Sequence, residues 1–254
     1  MKGESTVDEK RIYGRKVEID TENTKTLYNN RAENLSNMES IYTSVLLGDQ
    51  NPQYADEWNK VEKDLIFPHL RISPNSTVLD LGCGIGGWAE TIMPICKKYV
   101  GVDFSGKMVD VARTRCKEFV TSNKDFYECS VQDYFKSENL PKFDCIIISY
   151  VLMYINDTDM LFVINRMLEQ LSSNAVIYFI DTVALSERLT LKEIYSEAMH
   201  TNYSALYRTV EEYESYYDIF RQHGFKNVIS GFMPKLNNEK HFSETDRYYT
   251  VMER

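Results

Sequence analysis

Residues 78–90, VLDLGCGIGGWAE, constrain this chain more than any other stretch. The strand-like Val78 and Leu79 run into Gly82, Gly84, Gly86 and Gly87, and a helix-like pattern begins at Trp88. A strand, a glycine turn and a helix start aim backbone N–H groups and the positive end of a helix at one spot, which builds a nucleotide-binding loop. The flanking segments suit such a loop. Strand-like runs STVLDL (76–81), YVGVDF (99–104), KDFYECS (124–130), FDCIIIS (143–149) and AVIYFID (175–181) alternate with helical stretches such as GKMVDVARTRCKEF and TDMLFVINRMLEQL. Apolar strands alternating with helices indicate an α/β, doubly wound chain, with a mostly parallel sheet covered on both faces.

Four segments follow. Residues 1–70 read as a polar, loose tail and then a helical segment from about Leu27. Residues 71–181 form the core, and the tyrosine-rich 182–224 reads as a helical cap. FKNVISGF and DRYYTVMER, within 225–254, read as a terminal strand pair completing the sheet. No run of about 18 apolar residues predicts a membrane span. The polar start MKGESTVDEKRIYGRK lacks the apolar stretch of a signal peptide. Five scattered cysteines without a CxxC pair read as reduced thiols in a cytoplasmic protein, and no metal site is expected. The net charge of −9 repels nucleic acid and anionic membranes, so a small-molecule substrate is favoured. Nothing in the sequence sets an oligomeric state.

The glycines alone do not choose a ligand: Gly82, Gly84 and Gly87 satisfy GxGxxG, while Gly82, Gly84 and Gly86 satisfy GxGxG. Asp80 decides. A dinucleotide would set its pyrophosphate on this turn, against a carboxylate at the strand end. S-adenosylmethionine presents an ammonium and a sulfonium, which Asp80 favours. Asp103 ends the next strand, about 20 residues beyond the first glycine, where an acid accepts both ribose hydroxyls. Phe104 and Met108 follow it, and either could sandwich the adenine.

At these positions the chain resembles the class I S-adenosylmethionine-dependent methyltransferases. VLDLGCGIGG is similar to their glycine-rich motif and VGVDFSGKMVDVA to their ribose-binding segment. YECSVQDY stands where they contact the adenine edge, and FDCIIISYVLMYIND resembles the strand lining their methyl-transfer site. The resemblance implies a seven-stranded, Rossmann-like sheet with its last strand reversed. It also implies adenine contacts from Ser130, Val131 or Gln132, and cofactor contact at Ser149. LYNNRAENL is similar to a segment that folds over the cofactor, implying that Tyr28 packs on its methionine part and that Arg31 pairs with its carboxylate. Two departures stand out: Ser130 replaces a frequent acid, and Tyr154 replaces a frequent histidine.

Methyl transfer from a sulfonium is an in-line displacement, so holding the acceptor in place supplies much of the rate. A hydroxyl acceptor also gains from a base, whereas an amine need only be neutral. The cap segment YSEAMHTNYSALYRT supplies His200 as a candidate base. Tyr203 and Tyr207, four residues apart, share one helical face as a substrate wall, and Arg208 is placed to hold an anionic group. Tyr150 and Tyr154, after the fourth strand, lie at the pocket, Tyr154 as a catalytic candidate. His69, His223 and His241 read as structural or surface residues. The cap loosely resembles that of bacterial sugar methyltransferases, which implies a sugar or polyol hydroxyl as acceptor. An amine of a metabolite or protein N-terminus is the alternative. A non-catalytic cofactor-binding subunit is the alternative of another class.

Overall fold

The computed structural model describes residues 10–46, 51–119, 123–196, 199, 201–236 and 242–254. The chain opens with β1 (Arg11–Tyr13), α1 (Thr21–Glu33), α2 (Thr43–Leu46) and α3 (Pro52–Ile66). The core then alternates: β2 (Thr77–Leu81), α4 (Gly87–Ile92), β3 (Lys98–Asp103), α5 (Gly106–Arg115), β4 (Asn123–Glu128) and α6 (Val131–Lys136). It continues through β5 (Phe143–Ser149), α7 (Asp157–Gln170) and β6 (Leu171–Ala184). Last come β7 (Leu189–Ser196), β8 (Thr201–Tyr207), α8 (Val210–Gln222), β9 (Lys226–Phe232) and β10 (Thr245–Glu253).

Seven strands form one sheet in the order β4-β3-β2-β5-β6-β10-β9. The strands β4, β3, β2, β5 and β6 pair in parallel, and β10 runs antiparallel to both β6 and β9. The central strands are buried on both faces, which is why they read as continuous apolar runs. One face carries α6, α7 and α8, through side chains such as Val163, Met167 and Tyr217. The other carries α3 and α4, through Trp58, Ile66, Trp88 and Ile92. The seven-stranded, mostly parallel sheet expected from the sequence is present.

Two expectations change. The tail is not wholly loose, because β1 pairs with β7. The 182–224 segment is not a helical cap: β7 and β8 form an antiparallel hairpin, and with β1 they make a separate three-stranded sheet. Its Thr, Ile, Leu and Tyr content suits a pleated, half-buried surface. Tyr203 and Tyr207 do share a face, since an even spacing keeps two residues on one side of a strand as well as on one helical turn. Among the described residues of this segment only α8 is helical, and it does not line the pocket. Tyr213, Tyr217 and Phe220 form its buried stripe, with the Tyr217 ring 4.7 Å from that of Phe179 on the main sheet.

An ion cluster joins the hairpin to the core. Arg208 is fully buried and donates to the carbonyls of Leu152 (2.8 Å) and Ile155 (2.7 Å) and to Asp157 at the start of α7 (2.7 Å). Arg188 bonds the same Asp157 and also Glu212 in the first turn of α8. Arg208 is therefore no substrate ligand: its charge organises the loop after β5. Replacing it by Ala would leave Asp157 and two carbonyls short of donors, and a stability loss of about 3–5 kcal/mol is expected in urea unfolding. A loss below about 1 kcal/mol would show that the cluster is peripheral.

Candidate active site

The C-terminal ends of β2, β3 and β5 converge beneath α1, as expected for a ligand site on a parallel sheet. The turn after β2 depends on Gly82, which has φ 73° and donates its N–H to Val102 at 2.7 Å. A Cβ there would lie 2.1 Å from Cγ2 of Val151, so only glycine lets the β2 and β5 turns approach. Gly84 lines the cavity beside it. Gly86 does not. It starts α4 at φ 80°, with its α-carbon facing Ala112 and Cys116 of α5, so it serves helix packing rather than the ligand.

A cavity of about 380 Å³ runs along these ends. Asp103 stands at its centre, buried, with Oδ1 accepting from the Ser105 N–H (2.8 Å) and Oδ2 from the Gly84 N–H (2.9 Å). Each carboxylate oxygen keeps a second lone pair, which suits a diol. Burial pushes the Asp103 carboxyl up to about 6, against those two amides. Phe104 and Met108 line the cavity on one side, and Cys129, Ser130, Val131 and Gln132 on another. The Ser130 hydroxyl is already engaged as the cap of α6, accepting from the Asp133 N–H at 3.0 Å, and Gln132 donates to Asp159 at 3.0 Å. Tyr28 closes the cavity from α1, its ring centroid 6.2 Å from that of Phe104. Tyr154 lies beside it, with the two hydroxyls 2.9 Å apart. Burial and neighbouring tyrosines raise the Tyr154 hydroxyl far above its ordinary value, which favours a hydrogen-bonding wall over a neutral-pH base.

A smaller chamber of about 70 Å³ shares Gly82, Gly84, Val45 and Tyr150 with the first. Asp80 lines it, is held by the Tyr99 hydroxyl, and is pushed up to about 7 by burial. Ser149 lines it too and donates to Glu62 at 3.0 Å. Tyr150 sits at φ 59°, a strained backbone for a non-glycine residue, with its hydroxyl accepting from Trp58 at 3.0 Å. Behind the site, Asp181 ends the unbroken buried run of β6 that begins at Ala175. One of its oxygens accepts weakly from the Met153 N–H (3.4 Å), the other has no partner among the described residues, and burial pushes the group up to about 8.

Several expected positions fall elsewhere. Arg31 does not line either chamber: it is buried and donates to the carbonyls of Thr43 and Ser44, tying α1 to α2. Tyr203 and Tyr207 lie behind Tyr154 rather than on the cavity wall. His200, the candidate base, lies outside the described residues, as do Glu197 and His241. The structure adds Glu62 and Lys63 of α3 and Glu128 of β4 to the walls. Glu62 carried a readable signal. Trp58, Glu62 and Ile66 fall at i, i+4 and i+8, so an acid interrupts a buried helical stripe.

A buried acid with a free lone pair on each oxygen, an apolar slot and a second acid beside the glycine turn fit an adenosyl group that ends in an ammonium. A profile of the methyltransferase domain matches residues 72–252. The chain belongs to the methyltransferase-domain family. The cofactor of this domain is S-adenosylmethionine. Nodulation protein S of Sinorhizobium fredii strain NGR234 is 29% identical over 110 residues, 40% of this chain and 49% of that one. The same protein from Bradyrhizobium diazoefficiens is 28% identical over 82 residues, 32% of this chain and 37% of that one. This chain thus spans less than half the length of these curated relatives. Among solved structures, the N-methyltransferase NodS from Bradyrhizobium japonicum WM9 with S-adenosyl-L-homocysteine is similar at a TM-score of 0.55 and 17% identity, over 89% of this chain and 97% of that one. The [4+2]-cyclase SpnF is similar at a TM-score of 0.66 and 13% identity, over 94% and 99%. At such identities the likeness shows the class I methyltransferase fold alone, and a cyclase on that fold shows that the fold does not decide the reaction.

Two outcomes test this methyltransferase site. Asp103→Ala removes a charged acceptor pair and is expected to weaken S-adenosylhomocysteine by about 1–3 kcal/mol in calorimetry; unchanged affinity would detach Asp103 from the ribose. The second concerns pH. Asp103, Asp80 and Asp181 rise to about 6, 7 and 8 in the fold, above the roughly 4 of an unfolded aspartate. Their contribution is complete below the unfolded value and is lost as pH rises through the folded ones. The cofactor-free protein is expected to melt at a higher temperature at pH 6 than at pH 8, and the opposite trend would show that these acids are not buried.

Proposed function

We propose that this protein transfers the methyl group of S-adenosylmethionine to a small-molecule acceptor, and that the acceptor atom is an amine nitrogen. The carrying observation is the concentration of buried acids at the strand ends: Asp80, Asp103 and Asp181, with Glu62 beside them. Transfer to a neutral amine forms the C–N bond as the C–S bond breaks, and moves the sulfonium's positive charge onto nitrogen. The negative field of these acids and the ring faces of Tyr28 and Tyr154 favour positive charge on the acceptor, even though Asp80 and Asp103 also serve the cofactor. The cofactor supplies an electrophilic methyl group when bound. The chain's task is then to hold the acceptor in line, to exclude water and to keep the nitrogen unprotonated.

The division of labour follows from the two chambers. Asp103 takes the ribose diol, with Phe104 and Met108 against the adenine. Val131 and the backbone around Ser130 and Gln132 meet the adenine edge, because the Ser130 and Gln132 side chains are engaged with Asp133 and Asp159. Asp80 receives the ammonium, with Ser149 and Glu62 forming the wall behind it. Tyr28, Tyr150 and Tyr154 enclose the methyl end. A sugar hydroxyl, the acceptor implied by the looser resemblance, would need a base within hydrogen-bond reach, and His200 stays the candidate for that case. The similar structure of NodS, an N-methyltransferase, supports the amine reading by analogy of fold. Five unpaired thiols support a reducing, cytoplasmic setting.

Calorimetry with S-adenosylhomocysteine beside NADH comes first, followed by labelled methyl transfer to panels of amines and of nucleotide sugars. Micromolar binding of the first ligand alone, with label on an amine, is the expected result. Label on a sugar would overturn the acceptor assignment. Binding of NADH alone would overturn the cofactor.

A further inference from the structure

Four tyrosine hydroxyls form one hydrogen-bonded chain from the cofactor cavity into the small sheet. Tyr28 and Tyr154 are 2.9 Å apart, Tyr154 and Tyr203 are 3.2 Å apart, and Tyr203 and Tyr207 are 3.2 Å apart. Their rings meet edge to face, at 80° for Tyr28 on Tyr154 and 89° for Tyr154 on Tyr203. Tyr28 and Tyr154 line the cavity; Tyr203 is buried, and Tyr207 is half-buried at the far end of β8.

Each hydroxyl has one proton to give and two lone pairs, so such a chain has a direction. Tyr207 donates to Tyr203. Tyr203 must then place its own proton, and Tyr154 is its other polar partner among the described residues. The opposite choice strands the buried Tyr203 donor, which forfeits its hydration. Tyr203 therefore donates to Tyr154; at the Tyr28–Tyr154 bond either hydroxyl can donate, and the series keeps one direction when Tyr154 does. The proton left over is that of Tyr28, at the cavity wall. Each bond in the series also polarises the next, which strengthens the terminal donor.

We propose that this ladder fixes Tyr28 as a hydrogen-bond donor to an oxygen of the bound cofactor, with Tyr203 and Tyr207 as positioning residues acting through Tyr154. This rests on the S-adenosylmethionine reading above. The accepting group is a carboxylate oxygen or a ribose oxygen. Tyr28 is directed at the cofactor because its ring packs beside Phe104, the residue after the diol-accepting Asp103. The small β1-β7-β8 sheet, which lends no side chain to the cavity wall among the described residues, thus sets the proton direction inside it.

The test uses the full chain as wild type, Tyr28→Phe, Tyr203→Phe and the double variant, each titrated with S-adenosylhomocysteine and with 5′-methylthioadenosine. The second probe keeps the adenosine but lacks the amino-acid end. Tyr28→Phe is expected to weaken S-adenosylhomocysteine about 5- to 10-fold. Tyr203→Phe is expected to weaken it about 2- to 3-fold, because the Tyr28–Tyr154 bond can then run either way. In the Tyr28→Phe background, Tyr203→Phe should add nothing. A loss confined to S-adenosylhomocysteine assigns the oxygen to the carboxylate, and an equal loss for both probes assigns it to the ribose. Unchanged affinity in Tyr28→Phe overturns the donor. An equal cost of Tyr203→Phe with and without the Tyr28 hydroxyl overturns the ladder, leaving Tyr203 a packing residue. If the wild type binds neither probe, the cofactor reading itself fails and the ladder's role fails with it.

Discussion

The clasp of Asp103 by two backbone amides is the interaction on which the site depends. The Gly84 N–H comes from the turn after β2, and the Ser105 N–H from the start of α5. One carboxylate therefore fixes the glycine turn relative to the end of β3, and the turn can reach that carboxylate only because Gly82 leaves its backbone against Val151. The two amides also offset part of the cost of burying the charge. What they do not use, one lone pair on each oxygen, is aimed by the same geometry. The proposed ribose contact would thus be a by-product of how the turn is anchored.

A second layer of organisation lies outside the main sheet. The β7-β8 hairpin leaves the end of β6 and returns to α8, so its placement decides where Tyr203 and Tyr207 stand. Arg208 sets that placement by bonding to Leu152, Ile155 and Asp157, which also shape the segment holding Tyr154. A buried guanidinium with this many acceptors is a specific joint rather than a strong one, because desolvation offsets much of its Coulomb gain. Specificity is what the site needs here. A shift of about 1 Å in Tyr154 would break the hydroxyl contacts on both sides of it.

The sheet was legible because its central strands are buried on both faces, and a run such as FDCIIIS has few other uses. The places of Asp80, Gly82 and Asp103 were legible for a related reason: they follow from strand ends and turn geometry, which are local. The hairpin was misread because a four-residue spacing suits one face of a helix and one face of a strand equally. Arg208 was misread because its partners are non-local. Asp157 is 51 residues away, and no short-range pattern distinguishes a buried arginine from one waiting for a ligand. Arg31 failed in the same way, since the carbonyls it serves belong to α2. Glu62 was missed although its helical spacing marked it, because its partners Ser149 and Tyr178 lie on distant strands.

The buried acids tie these strands of argument together. A chain already at −9 places Asp80, Asp103 and Asp181 where water cannot solvate them, and each is pushed toward neutrality as a result. Carboxyls near half-protonation respond strongly to any positive charge brought beside them. A cationic ligand draws them into the ionised form, and their ionisation in turn holds the ligand. An anionic ligand meets the opposite response, which is why a dinucleotide pyrophosphate is a poor fit on the same glycine turn. The loop geometry admits both ligand classes, and the acids around it choose between them.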